Sequence, residues 1–380
     1  MYNSYSYWEQ NTFFKGYDAL IIGSGIVGLN AALHLKSTQP KLKVAVLEVG
    51  FLPTGASTKN AGFACFGSLS EIFDDIEHPS EEEVLQIIEL RWCGLNRLKK
   101  TLGEKAIDFQ KLGGYEIFND REKLISNSCI ERIPYFNKML AGIIGQPDIY
   151  AVVNDKIAGF GFKQITSMIK NRCEAQIDSG KMMAALLSKV ASTGVSVFNN
   201  CKVLNIQNQS EKILLKTTQG LFETKKVIVA TNAFIRDFFP SLDVVPGRGQ
   251  VLMTEQIPGL KVRGTFHYDK GYYYFRNIDN RILLGGGRNL NFKADESLDF
   301  EITNQVQQAL EKLLYQTIAP DYKPKIQYRW SGVMAFGKEP KPIIKKLKPN
   351  IFCAVRCNGM GIAMGSLTGE QVAELVLIDF

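Results

Sequence analysis

A strand, a glycine turn, a helix and a second strand follow one another early in the chain, and that succession leaves it few ways to fold. Ala19 to Ile22 is an apolar run suited to a buried strand, Gly23-Ser24-Gly25-Ile26-Val27-Gly28 turns out of it, Ile26 to Lys36 is helical in pattern, and Val44 to Leu47 is a second apolar strand. Glu48 ends that strand, 20 residues beyond Gly28. Each glycine then has its own reason: the first permits the tight turn, the second lets backbone approach a pyrophosphate, and the third lets the helix pack close on the sheet. Unpaired amides and the positive dipole end of the helix face the phosphates. Glu48 accepts hydrogen bonds from ribose hydroxyls, and its charge rejects a 2′-phosphate, which disfavours NADP. The arrangement predicts a Rossmann-type dinucleotide-binding unit, and by itself it does not separate NAD from FAD.

Ala19 to Leu35 carries no charge, so a membrane span is the competing reading. Gly23, Ser24, Gly25, Gly28, Asn30 and His34 interrupt it, and it falls short of the roughly 20 apolar residues a bilayer crossing needs. No transmembrane segment is expected. With 45% apolar and 22% charged residues over 380 positions, the chain falls in the globular class and is long enough for about two domains. Lys and Arg exceed Asp and Glu by 45 to 38, with modest clusters at Lys99 to Lys111 and Lys341 to Lys348. So dispersed a surplus suits a soluble surface or a small anionic ligand, and no nucleic-acid partner is expected. Seven cysteines without a CxxC pair, and an N-terminus lacking a basic start and apolar core, imply a reducing, cytoplasmic setting. His34, His78 and His267 lie far apart in sequence, and no metal is expected.

Along the chain, Ser80 and Glu83 form a candidate capping box ahead of a long helix in which Val84, Ile87, Ile88, Leu95 and Leu98 recur at helical spacing. Asp178 to Ala191 predicts a second helix, followed by short strands up to Lys226 to Ala230 that extend the first sheet. Between Pro246 and about Pro340 the segments QVLMTEQ, YYYFR, RILLGGG and YRWSGVMAF alternate with period two, which predicts a separate antiparallel sheet, with one helix near Gln305 to Tyr315. Ile351 to Val355, the turn Asn358-Gly359-Met360-Gly361 and a helix to Leu377 return to the first style. The expected fold is α/β: a Rossmann-type domain from 1–75, 170–245 and 345–380, interleaved with an antiparallel-sheet substrate domain from 76–169 and 246–344.

After Glu48, Gly55-Ala56-Ser57-Thr58-Lys59-Asn60-Ala61-Gly62-Phe63 forms a second small-residue loop. Here the chain resembles the D-amino-acid oxidase and glycine oxidase superfamily of flavoproteins. The likeness continues in order through Ala230-Thr231-Asn232-Ala233, Pro246 to Val251, Tyr274-Phe275-Arg276, Gly285-Gly286-Gly287, Arg329-Trp330-Ser331-Gly332 and Asn358 to Ile362. The resemblance implies FAD rather than NAD. It places Gly23, Gly25, Ile26, Val27, Gly28, Glu48, Val49, Ser57, Thr58, Asn60, Ala61, Gly62, Val203, Thr231, Asn232, Gly359, Met360, Gly361 and Ile362 at the cofactor, the last helix facing the pyrimidine end of the ring. Cys353 and Cys357 read as packed thiols on or beside a strand, so non-covalent FAD is expected.

The resemblance further implies oxidation of an amine or amino acid to an imine by hydride transfer to flavin, with no obligatory base. Substrate-pocket candidates are Tyr272, Tyr274, Arg276 and Arg329, with Tyr273 on the intervening face. Amino-acid oxidases of this kind place an arginine shortly after the Trp-x-Gly segment, where this chain has Met334 and Ala335. The γ-glutamylputrescine oxidase branch, with its similar Trp-Ser-Gly-Val-Met-Ala segment, is the nearer likeness. Arg276, Arg288 or Arg329 remains available to pair with a carboxylate. No lysine stands at Ile282 or Leu283, where some oxidases of the family carry one, so the electron acceptor, dioxygen or another carrier, stays open. An NAD-linked dehydrogenase and a flavin-binding protein without turnover are the alternatives.

Overall fold

Strands that are apolar at every position belong in a sheet covered on both faces, and those of the N-terminal unit occupy such a place in the computed structural model. It describes residues 5–76, 80–209 and 212–380; His78 lies outside them. The first sheet runs Ile343–Lys348, Ile351–Val355, Leu221–Val229, Tyr17–Ile22, Val44–Leu47, Ser196–Phe198. Its pairings are parallel except at the Ile343–Lys348 edge. Val203–Asn208 and Ile213–Thr217 fold back as an antiparallel extension on Leu221–Val229. Ala19, Leu20, Ile21, Ala45 and Val46 are fully buried, and helix Ile26–Thr38 covers one face beside helices Ser179–Ser192 and Gly361–Ile378.

The second sheet has eight strands in the order Ile326–Phe336, Val245–Thr254, Arg281–Gly286, Tyr273–Ile278, Thr265–Tyr268, Gly114–Phe118, Ser167–Asn171, Tyr150–Val152. It is antiparallel except where Thr265–Tyr268 runs parallel to Gly114–Phe118, a departure from the expectation of a purely antiparallel sheet. Helix Asn304–Leu313, extended by a π turn over Leu314–Ile318, packs on it.

The long helix spans Glu81–Leu102, and both hydrogen bonds of the Ser80–Glu83 capping box form. Although it stands in the segment expected to serve the substrate domain, it lies against helix Gly361–Ile378. A Cβ at Gly94 would come within 2.3 Å of the Ala363 carbonyl oxygen. Two more glycines close the seam between helices Ile26–Thr38 and Gly361–Ile378. A Cβ at Gly365 would meet Ile26 at 2.8 Å, and one at Gly369 would meet the Val27 carbonyl oxygen at 2.5 Å. Among the described residues no helix is long and apolar enough to cross a membrane.

Candidate functional site

Gly23 has φ +103°, a conformation that side chains resist, and a Cβ there would lie 2.8 Å from the Ala230 carbonyl oxygen. A Cβ at Gly28 would lie 2.0 Å from the Gly23 carbonyl oxygen, so the turn and helix meet only because position 28 has no side chain. Helix Ile26–Thr38 starts at Gly25 without a side-chain cap of its own. The Ile26 amide instead donates to Ser57 Oγ at 3.0 Å. Glu48 is buried at the end of its strand. It accepts from Ser24 N (3.0 Å), Ser24 Oγ (2.6 Å), Gly50 N (3.0 Å) and Thr54 Oγ1 (3.2 Å). Two of those donors are hydroxyls that can rotate away, leaving lone pairs for a sugar hydroxyl.

The C-terminal turn is held by strain and charge. Arg356 (φ +68°) and Asn358 (φ +46°) adopt left-handed backbone. The buried Arg356 guanidinium donates to the Asp243 carboxylate at 2.7 Å and to the Lys341 carbonyl at 2.9 Å. Its amide donates to Asn232 Oδ1 at 3.2 Å. Helix Gly361–Ile378 then begins with no side-chain cap, and nothing lies within 4 Å of where a Cβ on Gly361 would stand. Both glycine turns open on one cavity of about 970 Å³, at the upper end of the range for small-molecule and cofactor sites. The residues fit FAD on three counts: two helix starts whose N-cap residues supply no side-chain cap face the same space, the room at Gly361 is empty of protein, and the buried Thr231 hydroxyl in the wall has no partner.

Of the positions expected at the cofactor, all but Gly28 and Thr58 line this cavity. Gly28 sits behind it as the helix contact, and the Thr58 hydroxyl turns back to the Pro53 carbonyl at 2.7 Å. Tyr272 and Tyr274 also line it, while Tyr273 packs in the core on the opposite face of the sheet. Two substrate candidates, Arg329 and Arg276, do not line the cavity. Arg329 leaves the cavity for helix Asn304–Leu313, donating to Gln307 at 2.5 Å and Glu311 at 2.6 Å. Arg276 lies buried behind the loop, Nη1 reaching the Gly62 carbonyl at 3.4 Å, and burial lowers its guanidinium to about 10.

Sequence spacing missed a buried group at the cavity edge. His267 and Cys65 line the wall. His267 Nε2 meets Glu174 at 3.2 Å, and Cys65, Glu174 and His267 gather their polar atoms within 4.8 Å. They come from three separated segments, so no local motif announces them. Burial alone would lower the His267 pKa, but Glu174, with Glu71 and Glu116 beyond it, lifts it to about 9. Burial and the neighbouring carboxylates of Glu174 and Glu71 push the Cys65 thiol well up. Burial likewise pushes Cys357 up to about 12, leaving a neutral thiol in the wall.

Glu116 is buried nearby and accepts from the Ser70 amide at 3.1 Å and from the Ser70 hydroxyl. Burial pushes its carboxyl up to about 7, with the Ser70 hydrogen bonds opposing. Because the folded value lies above the unfolded one, the stabilisation is complete below the ordinary carboxylate range and is lost as pH rises through 7. Between the ordinary value of 4.5 and about 7 the wild-type protein should lose about 1.4 kcal/mol per pH unit from this group, and the loss levels off above 7. Glu116→Gln should flatten that slope in denaturation curves at pH 5, 6 and 7; parallel curves for the two proteins would remove Glu116 as the cause.

Residues 18–375 match the family described as FAD dependent oxidoreductase. The gamma-glutamylputrescine oxidoreductase of Escherichia coli (strain K12) is 27% identical over an alignment that spans 95% of this chain and 84% of that protein. The glycine oxidase of Geobacillus kaustophilus (strain HTA426) is 23% identical, spanning 95% and 93% of the two chains. Among solved structures, glycine oxidase from Geobacillus kaustophilus superposes with a TM-score of 0.76 at 21% identity over 96% of this chain and 95% of that one. L-proline dehydrogenase from P. horikoshii gives 0.76 at 18% identity over 96% of this chain and 94% of that one.

Proposed function

The chain belongs to the FAD dependent oxidoreductase family, and from that premise we propose that it oxidises the C–N bond of an amine or amino acid to an imine, hydride leaving the carbon beside nitrogen for non-covalently held flavin. The observation that carries this reading is the convergence of two helix starts, one near each end of the chain, on a single mainly apolar cavity. The relatives named for amine and amino-acid oxidation support the substrate class. The family's flavin dependence speaks against the NAD-linked alternative.

When bound, FAD supplies the two-electron acceptor. Glu48 and the amides from Gly25 to Val27 would hold its nucleotide end, and those of Gly361 and Ile362 the ring end, where favourable dipoles stabilise negative charge. Phe63, Val251, Met334 and Phe336 in the wall exclude water. Tyr274, pushed up to about 12 by burial, stays a neutral phenol able to orient a substrate atom. His267 keeps its proton at neutral pH and so does not accept one from an ammonium. The substrate must then react as the neutral amine, and kcat/KM should rise about tenfold per pH unit below the amine's own pKa. A plateau set near pH 6 for every amine would instead reveal a protein base.

The test is a visible spectrum of the purified protein followed by anaerobic addition of amines and amino acids. Yellow protein bleached by a member of the panel supports the proposal. Colourless protein that responds to NADH favours the dehydrogenase, and yellow protein that no amine bleaches favours a flavin carrier without turnover. The rate at which air or an artificial dye restores the colour then distinguishes dioxygen from another acceptor.

A further inference from the structure

We propose that Arg288 is the specificity-determining residue of the cavity, pairing with a carboxylate on the substrate; this rests on the amine oxidation proposed above and narrows it to amines that carry an acid group. Arg288 follows strand Arg281–Gly286 and the left-handed Gly287 (φ +79°). It stands in the cavity wall with Tyr272, Phe292 and Phe336. Its guanidinium lies 3.9 Å from the Phe336 ring centroid and 5.4 Å from that of Phe292. Gly247 makes the slot: a Cβ there would be 2.8 Å from Arg288 Cζ. The fold therefore holds the cation against aromatic surface in the wall of the cavity.

That cation lacks a counter-charge. The two carboxylates with most influence on it are engaged elsewhere, Asp295 with Arg248 at 2.9 Å and Glu296 with Lys293 at 3.2 Å. Among the described residues Arg288 enters no ion pair, and its Nε is buried without a hydrogen-bond partner. An unpaired buried donor on a charged group is costly, whereas a fork of N–H groups fixed in a plane matches a carboxylate in two parallel bonds. Arg329 pairs with Glu311 and Arg276 lies behind Gly62, both outside the cavity wall, so neither competes for the role.

The experiment uses wild-type holoenzyme with Arg288→Gln and Arg288→Lys, titrating the visible flavin spectrum with acetate, butanoate and hexanoate and with their uncharged amides. Wild type should respond saturably to at least one acid and not to its amide. Arg288→Gln should weaken that acid by roughly 10- to 100-fold, Arg288→Lys should retain part of the affinity, and flavin content should not change. Equal binding of acids and amides, an unaffected Arg288→Gln, no saturable response from any acid, or loss of flavin from Arg288→Gln each overturns the assignment, the last by giving Arg288 to the cofactor's phosphates. Because the titration needs no turnover, a holoenzyme that no amine bleaches but that selects acids through Arg288 would sink the reaction and keep the recognition. Bleaching that ignores both the carboxylate and Arg288 would do the reverse.

Discussion

Gly28→Val should emerge from purification with about a tenth or less of the wild-type flavin per chain. Even the first atom of the new side chain would stand 2.0 Å from the Gly23 carbonyl oxygen, so either the helix lifts from the sheet or the turn opens. Overpacking of this kind costs roughly 1–3 kcal/mol or more, and the displaced parts are the helix start and turn that open on the cavity proposed for the nucleotide. A tenfold loss of affinity needs only about 1.4 kcal/mol, so flavin retention should fail before folding does. Gly142→Ala supplies the control, since nothing lies within 4 Å of a Cβ there. The ratio of visible to ultraviolet absorbance reads both variants, and a fully yellow Gly28→Val with wild-type Tm would refute the role given to position 28.

The second large effect is expected at Glu174→Gln. Glu174 is buried against His267 and also accepts from Thr265 Oγ1 at 3.3 Å. Without its charge, burial alone governs His267, and the imidazolium is no longer favoured. The folded pKa of about 9 exceeds the ordinary 6.5, so the stabilisation is whole below pH 6.5 and vanishes as pH rises through 9. The variant should therefore trail wild type by roughly 3 kcal/mol at pH 6 and by little at pH 9.5. Denaturation at the two pH values measures it, and a gap that stays constant would assign the loss to packing rather than charge.

Local signals were readable before any coordinates. The strand-turn-helix-strand at Ala19 to Leu47 and the Ser80–Glu83 cap depend on neighbours in sequence, and both form where expected. What stayed hidden depends on partners far away. Gly114–Phe118 is buried along its whole length despite containing Glu116, because Ser70 satisfies that carboxylate from another segment; composition alone reads such a run poorly. Its parallel pairing with Thr265–Tyr268 joins residues about 150 apart. Side-chain direction was equally out of reach: Arg329 turns to helix Asn304–Leu313 and Arg276 to Gly62 because of what packs there, not because of their own neighbours. Arg288 was visible as one of three arginines, and only its place in the cavity wall and the Phe336 slot set it apart.

The bare-backbone seam at Gly365 and Gly369 ties the two helices whose starts open on the cavity into one unit. Neither can be re-aimed alone, so a change loosening that joint would disturb both electrostatic poles of the pocket together. Retargeting the enzyme to another amine is then work for the opposite wall, between Tyr272 and Arg288 and around Met334, where residues can be exchanged while the cofactor's berth stays as it is.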